Sequence, residues 1–204
     1  MPQPNNLVVS VTAACINAAA RLWGVRVAGL ENLPKEGPAI LAINHASNVD
    51  PPLIGAQIVR HRRLRAIGKK ELFKVPLLGG YIRALGAIPL DRDRPDLSAM
   101  RAALEVLKNG DLFLMAPEGT RGTSKRARTP KPGVGFIAHH SGAPVIPIRL
   151  AGTDTFYIPG RMWIRVGKPM RFDPGGRKAK DLRAAYQEFA EALMRHIYEL
   201  PEVL

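Results

Sequence analysis

At 204 residues, 46% of them hydrophobic, the chain is long enough to bury one substantial core and too short for several, and no Gly/Ser-rich or Pro-rich linker divides it. A single cysteine excludes a disulfide framework and makes a reducing compartment the default. Thirty Lys and Arg against 17 Asp and Glu leave a net charge of +13, which calls for an anionic partner.

The first twenty residues carry no charged side chain, and residues 7 to 23 are mostly small and apolar. A signal peptide would need a cationic start, and Ser10, Thr12, Asn17 and several alanines weaken a membrane span. The expectation is therefore an apolar helix over residues 1 to 24 lying in a membrane interface, with a soluble helix packed on a sheet as the alternative. Residues 25 to 204 then form one globular domain. Further strands are expected near 25–29, 38–44, 64–68, 86–90, 111–116, 144–150 and 162–167, and further helices near 51–60, 95–108, 133–140 and 179–199. This alternation predicts an α/β domain. In the helix over 95–108 the spacing of Leu97, Met100, Leu104 and Leu107 marks a core-facing stripe, with Asp96 as N-cap and Gly110 beyond its end. Leu182, Phe189, Leu193 and Ile197 repeat the pattern in the last helix, which reads as a cover for the sheet.

Chemistry concentrates in two short segments. Ala39 to Ile43 is an apolar run that ends just before Asn44-His45, and Asp50-Pro51-Pro52 opens the next helix, with Asp50 read as its cap. The four-residue loop between them is short enough to fold the Asp50 carboxylate onto one ring nitrogen of His45, leaving the other for substrate. A carboxylate in that position fixes the tautomer and stabilises the imidazolium that forms when a proton is taken, and an ordinary imidazole pKa of about 6.5 suits a general base near neutrality. The second segment, Pro117-Glu118-Gly119-Thr120-Arg121, follows another apolar run, Leu112 to Ala116, so it too lies beyond a strand end, where ligands gather in open α/β sheets. Gly119 allows a sharp turn, and Arg121 offers a planar fork for phosphate or carboxylate. Each residue has a plainer reading. Asp50 alone is a cap, Glu118 a turn residue, and Arg121 a surface cation.

These residues resemble the glycerolipid acyltransferases typified by 1-acylglycerol-3-phosphate acyltransferase. The likeness runs from about Leu30 to Gly167 in five ordered blocks. They are Asn44-His45 to Asp50, Lys69 to Leu72 with Pro76 and Gly79, Gly86 to Arg92, Pro117 to Arg121, and Pro144 to Ile148. The resemblance implies a glycerol-3-phosphate acyltransferase-like fold: a single domain whose mixed, mostly parallel sheet of about seven strands is flanked by helices. It implies an O-acyltransferase of phospholipid biosynthesis that needs no cofactor or metal. The acyl donor would be acyl-CoA or acyl carrier protein, and the acceptor lysophosphatidate or a related lysophospholipid. His45 would be the base and Asp50 its orienting acid. Lys69, Arg92 and Arg121 would hold the acceptor phosphate, while Glu118, Gly119 and Thr120 shape the acceptor site. The chain departs from the family pattern at Ala116, Gly122 and Pro130, where an aromatic, a serine and a phenylalanine are common.

Arg60 to Lys70 holds six cations and Arg121 to Lys131 five, neither stretch with an acid. Neither contains an aromatic for base stacking, so an anionic membrane surface is favoured over specific nucleic-acid binding. The expected location is the cytoplasmic face of the cell membrane, peripheral or monotopic. The rival classes are a basic membrane- or nucleic-acid-binding module without catalysis, a Cys15 nucleophile, and a metal site from His45, Asp50, His139 and His140. Cys15 has no acid or histidine near it in sequence, and adjacent histidines on a helix point different ways.

Overall fold

The structure, a computed structural model, describes residues 6–60, 62–90, 97–119, 122 and 129–204. Seven strands form one sheet in the order β1-β7-β6-β2-β5-β3-β4: β1 (Arg26–Ala28), β2 (Ala39–Ile43), β3 (Leu64–Lys69), β4 (Ile88–Leu90), β5 (Leu112–Met115), β6 (Val145–Ala151) and β7 (Trp163–Val166). β6, β2, β5, β3 and β4 run parallel; β7 pairs antiparallel with β6 and carries β1 parallel to itself at the edge. All seven strands lie where the sequence places them, because most of them are short apolar runs bounded by turn residues.

Helices cover both faces. α1 (Asn6–Leu22) and α2 (Asp50–Ile58) lie on one side, where Leu53, Ile54 and Ile58 meet Leu41, Ile43, Leu112, Ile146 and Ile148. α4 (Leu97–Lys108), α5 (Gly133–Ser141) and α6 (Leu182–Glu199) lie on the other, over Ile40, Ala42, Phe113 and Val145. β2 is buried at every residue, and its side chains alternate between these two cores, as a central strand covered on both faces must. The α4 stripe is centred on Ala99, Ala103, Val106 and Leu107, with Met100 and Leu104 only partly buried, so the core line sits slightly aside from those two residues. Asp96 falls outside the described residues.

One helix escapes the sequence reading. α3 (Leu78–Ala84) carries Gly79 and Gly80 in its first turn, shortly after Pro76, residues that signal a loop. Gly79 is required by contact, since a Cβ there would stand 2.2 Å from the Phe73 carbonyl oxygen.

Candidate acyl-transfer site

Parallel pairing places the two chemical segments side by side. β2 and β5 are neighbours in register Ala39 to Leu112 through Ala42 to Met115, so the loops after Ile43 and after Met115 leave the same edge of the sheet. β3, which ends at Lys69, is the next strand beyond β5, and β4 follows. Every segment singled out for chemistry therefore emerges at adjacent carboxyl ends, the ordinary ligand edge of such a sheet.

Asn44 sets the first loop. Its amide donates to the Leu150 carbonyl at 2.8 Å and accepts from the Leu150 N–H at 2.8 Å, extending the β2–β6 pairing with a side chain. The following His45 turns its ring to Asp50, with Nδ1 2.9 Å from Oδ2; the Asp50 side chain is fully buried and that of His45 only 11% exposed. The same Oδ2 accepts the backbone N–H groups of Ala46 and Ser47, both at 2.7 Å. The cap assignment fails on this geometry. Val49 occupies the cap position, no side chain caps α2, and the Asp50 carboxylate is directed backwards into the loop that carries His45. Among the described residues, the His45 ring is engaged through Nδ1 and not through Nε2.

The second loop is tied to the first at two points. Glu118, 2% exposed, accepts the His45 backbone N–H on Oε2 at 3.0 Å. The Gly122 N–H donates to the His45 carbonyl at 2.7 Å. Between them Gly119 adopts φ +68°, and its N–H reaches the Ala116 carbonyl at 3.0 Å, a tight turn that other residues adopt at a cost. Lys131 lies across this turn, with its Cε 3.1 Å from where a Gly119 Cβ would stand, a neighbour not evident from the sequence. Lys69 is half exposed and 3.8 Å from Glu71. Arg92, Thr120 and Arg121 fall outside the described residues.

A family model described as Acyltransferase matches residues 24–151, which takes in both loops. This chain belongs to the acyltransferase family. It is 31% identical over 185 residues to 1-acyl-sn-glycerol-3-phosphate acyltransferase of Bacillus subtilis, covering 89% of this chain and 90% of that one. A chloroplastic 1-acyl-sn-glycerol-3-phosphate acyltransferase of Arabidopsis thaliana is 32% identical over 153 residues, 69% of this chain but 42% of the longer plant protein. The crystal structure of a 1-acyl-sn-glycerophosphate acyltransferase from Thermotoga maritima superposes with a TM-score of 0.70 at 29% identity, over 96% of this chain and 81% of that one. The acyltransferase is thus an enzyme of the O-acyltransferase class.

The rival chemistries gain no support from the geometry. Cys15 is exposed on α1. Among the described residues no group of three His, Cys, Asp or Glu is arranged to hold a metal ion. His139 is engaged with the Tyr186 hydroxyl at 2.7 Å, and His140 stacks on Phe136 with ring centroids 4.0 Å apart.

Proposed function

We propose that this acyltransferase moves a fatty acyl group from a thioester on coenzyme A or acyl carrier protein to the free hydroxyl of lysophosphatidate or a related lysophospholipid, making phosphatidate in the first case. The observation that carries this reading is the buried 2.9 Å contact of His45 with Asp50 at the mouth of the loop pair. Asp50 would hold the proton on Nδ1, so that Nε2 takes the acceptor hydroxyl proton as the oxygen attacks the thioester carbonyl. The C–S bond then breaks, and the departing sulfur receives that proton from the imidazolium. Lys69, Arg92 and Arg121 would supply the cationic seat for the acceptor phosphate, and Glu118, Gly119 and Thr120 the wall beside it. Given acyl-CoA and lysophosphatidate, the purified protein should release free thiol and form phosphatidate. Thiol release with none of a panel of glycerophosphate acceptors would leave the binding-module alternative. Arg121→Lys keeps the charge but loses the fork, so KM for a phosphorylated acceptor should rise about tenfold while that for the thioester stays put.

The same reading puts residues 25–204 in catalysis and residues 1–24 on an anionic membrane, at the cytoplasmic face of the cell membrane. α1 buries only Ala13, Asn17 and Ala20, and exposes Leu7, Val11 and Leu22, with Trp23 exposed just beyond it. No helix among the described residues is long and apolar enough to cross a membrane. The Thr12 hydroxyl lies 2.9 Å from that of Tyr81, joining α1 to a second exposed apolar group of Leu72, Val75, Leu77, Leu78 and Tyr81. Leu77 is 93% exposed and has φ +61°, a backbone conformation that costs a leucine about 1–3 kcal/mol, which supports contact with something apolar. The cationic stretch contributes less than its sequence suggests. Arg65 is buried, and the Arg62 guanidinium donates to the carbonyls of Pro34, Gly37 and Gly110 at 2.9, 2.7 and 2.6 Å. Binding to anionic vesicles should weaken from 0.15 to 1 M salt as the screening length falls from about 8 to 3 Å. Deleting residues 1 to 23 should weaken it further in a co-sedimentation assay; equal binding by both proteins would remove α1 as the anchor.

A further inference from the structure

The turn at Gly119 makes room for a cation that the sequence does not place there. The last three atoms of the Lys131 side chain, Cδ, Cε and Nζ, lie 3.3, 3.1 and 3.4 Å from the point where a Gly119 Cβ would stand. The stem therefore runs along the turn and holds its ammonium against the backbone next to Glu118, instead of extending it into water. A side chain at residue 119 would meet that stem, which gives the glycine a second use besides its φ of +68°. The Lys131 backbone is fixed at the same place. Its N–H donates to the Pro117 carbonyl at 2.9 Å, so the chain comes back to the end of β5 where it left the sheet, and α5 opens two residues later at Gly133. Lys131 is thus seated between a strand end and a helix start.

Among the described residues nothing balances that charge, since the ammonium makes no ion pair or hydrogen bond there. Glu118, the nearest acid in sequence, is buried and accepts the His45 backbone N–H at 3.0 Å. Residues 119 to 130 contain no Asp or Glu, while Arg121, Lys125, Arg126 and Arg128 add four more cations. A lysine that merely covered a glycine turn would give up rotamer freedom with no electrostatic return. A lysine held beside the proposed base with no acid to pair it fits an anion that arrives with the substrate, because an ammonium is a compact point charge for phosphate. Of the two substrates, the acceptor brings its phosphate closer. In lysophosphatidate it lies a few bonds from the hydroxyl that His45 would deprotonate, whereas the phosphates of acyl-CoA lie at the far end of the pantetheine arm. A cation packed on the residue after Glu118 matches the nearer group.

We propose that Lys131 is a substrate-binding residue that receives the phosphate of the acceptor. The inference deepens the acyl-transfer reading above and rests on it. Lys131→Met keeps an unbranched stem over Gly119 and removes only the charge. Its KM for lysophosphatidate should rise about tenfold, the scale of one charge-assisted contact to phosphate, while KM for acyl-CoA stays within about twofold and the melting temperature within a few degrees. Lys131→Arg restores the charge and should bring the lysophosphatidate KM back to within about threefold of wild type. An unchanged lysophosphatidate KM in Lys131→Met, or a rise confined to the acyl-CoA KM, would overturn the proposal. Equal losses in the Met and Arg variants would overturn it too, because the charge would then not be what binds. The two readings fail differently: a wild-type protein that acylates no glycerophosphate acceptor removes the acyl-transfer reading itself, whereas normal turnover with an unmoved KM in Lys131→Met removes the Lys131 assignment alone.

Discussion

Asp50→Asn should lower acyl transfer by about 100- to 10,000-fold, the range that a general base is worth. The imidazole would lose the charged partner that holds its tautomer and balances the imidazolium, while the ring stays in the pocket. Stability should fall as well. Oδ2 accepts from Ala46, Ser47 and the His45 ring, and Oδ1 is buried with no hydrogen-bond partner among the described residues. An asparagine must therefore place its NH2 either against those donors or in a buried spot with no acceptor, a cost of about 1–3 kcal/mol. Treating Asp50 as a helix cap predicts almost no change in stability, because asparagine caps nearly as well as aspartate. A melting curve therefore tests the backward-facing carboxylate, and thiol release from acyl-CoA with lysophosphatidate tests the base. A variant with wild-type turnover would end the dyad assignment.

The strands and the adjacency of the two loops are legible in the sequence because they follow from burial. A strand covered on both faces, such as Ala39–Ile43, has to be an uninterrupted apolar run, and parallel neighbours put their following loops at one edge. Side-chain direction is not legible in this way. Asp-Pro-Pro satisfies the statistics of a helix start, yet the carboxylate faces away from α2, a choice made by the two loop amides it accepts. Charge counts fail for a similar reason. Arg62 and Arg65 look like surface cations in sequence, and the fold commits them to carbonyls. The docking of α6 against α5 leaves no such signal, because its apolar stripe says that one face is buried and not against which helix.

That packing depends on a glycine whose local preference points the wrong way. In an isolated helix, Gly135→Ala would stabilise α5 by roughly 0.8–1 kcal/mol. Here a Cβ at residue 135 would stand 2.7 Å from Tyr186 Cα, 2.9 Å from its Cβ and 2.9 Å from its carbonyl oxygen, and two of these atoms are backbone of α6 that no rotamer change can move. α5 and α6 would have to separate over Ile137, Ala190 and Leu193, the core beneath the last helix. The net effect should be destabilisation by about 2–3 kcal/mol, which for a chain of this size lowers the melting temperature by roughly 4–12 °C. Gly133→Ala, two residues earlier in the same helix, supplies the contrast. Its Cβ would meet only the terminal methyl of Met100 at 3.3 Å, a flexible end that can swing aside, so stability should change by less than about 0.5 kcal/mol. If the two variants melted alike, the close approach of α5 to α6 at Gly135 would not be what sets the position of the last helix.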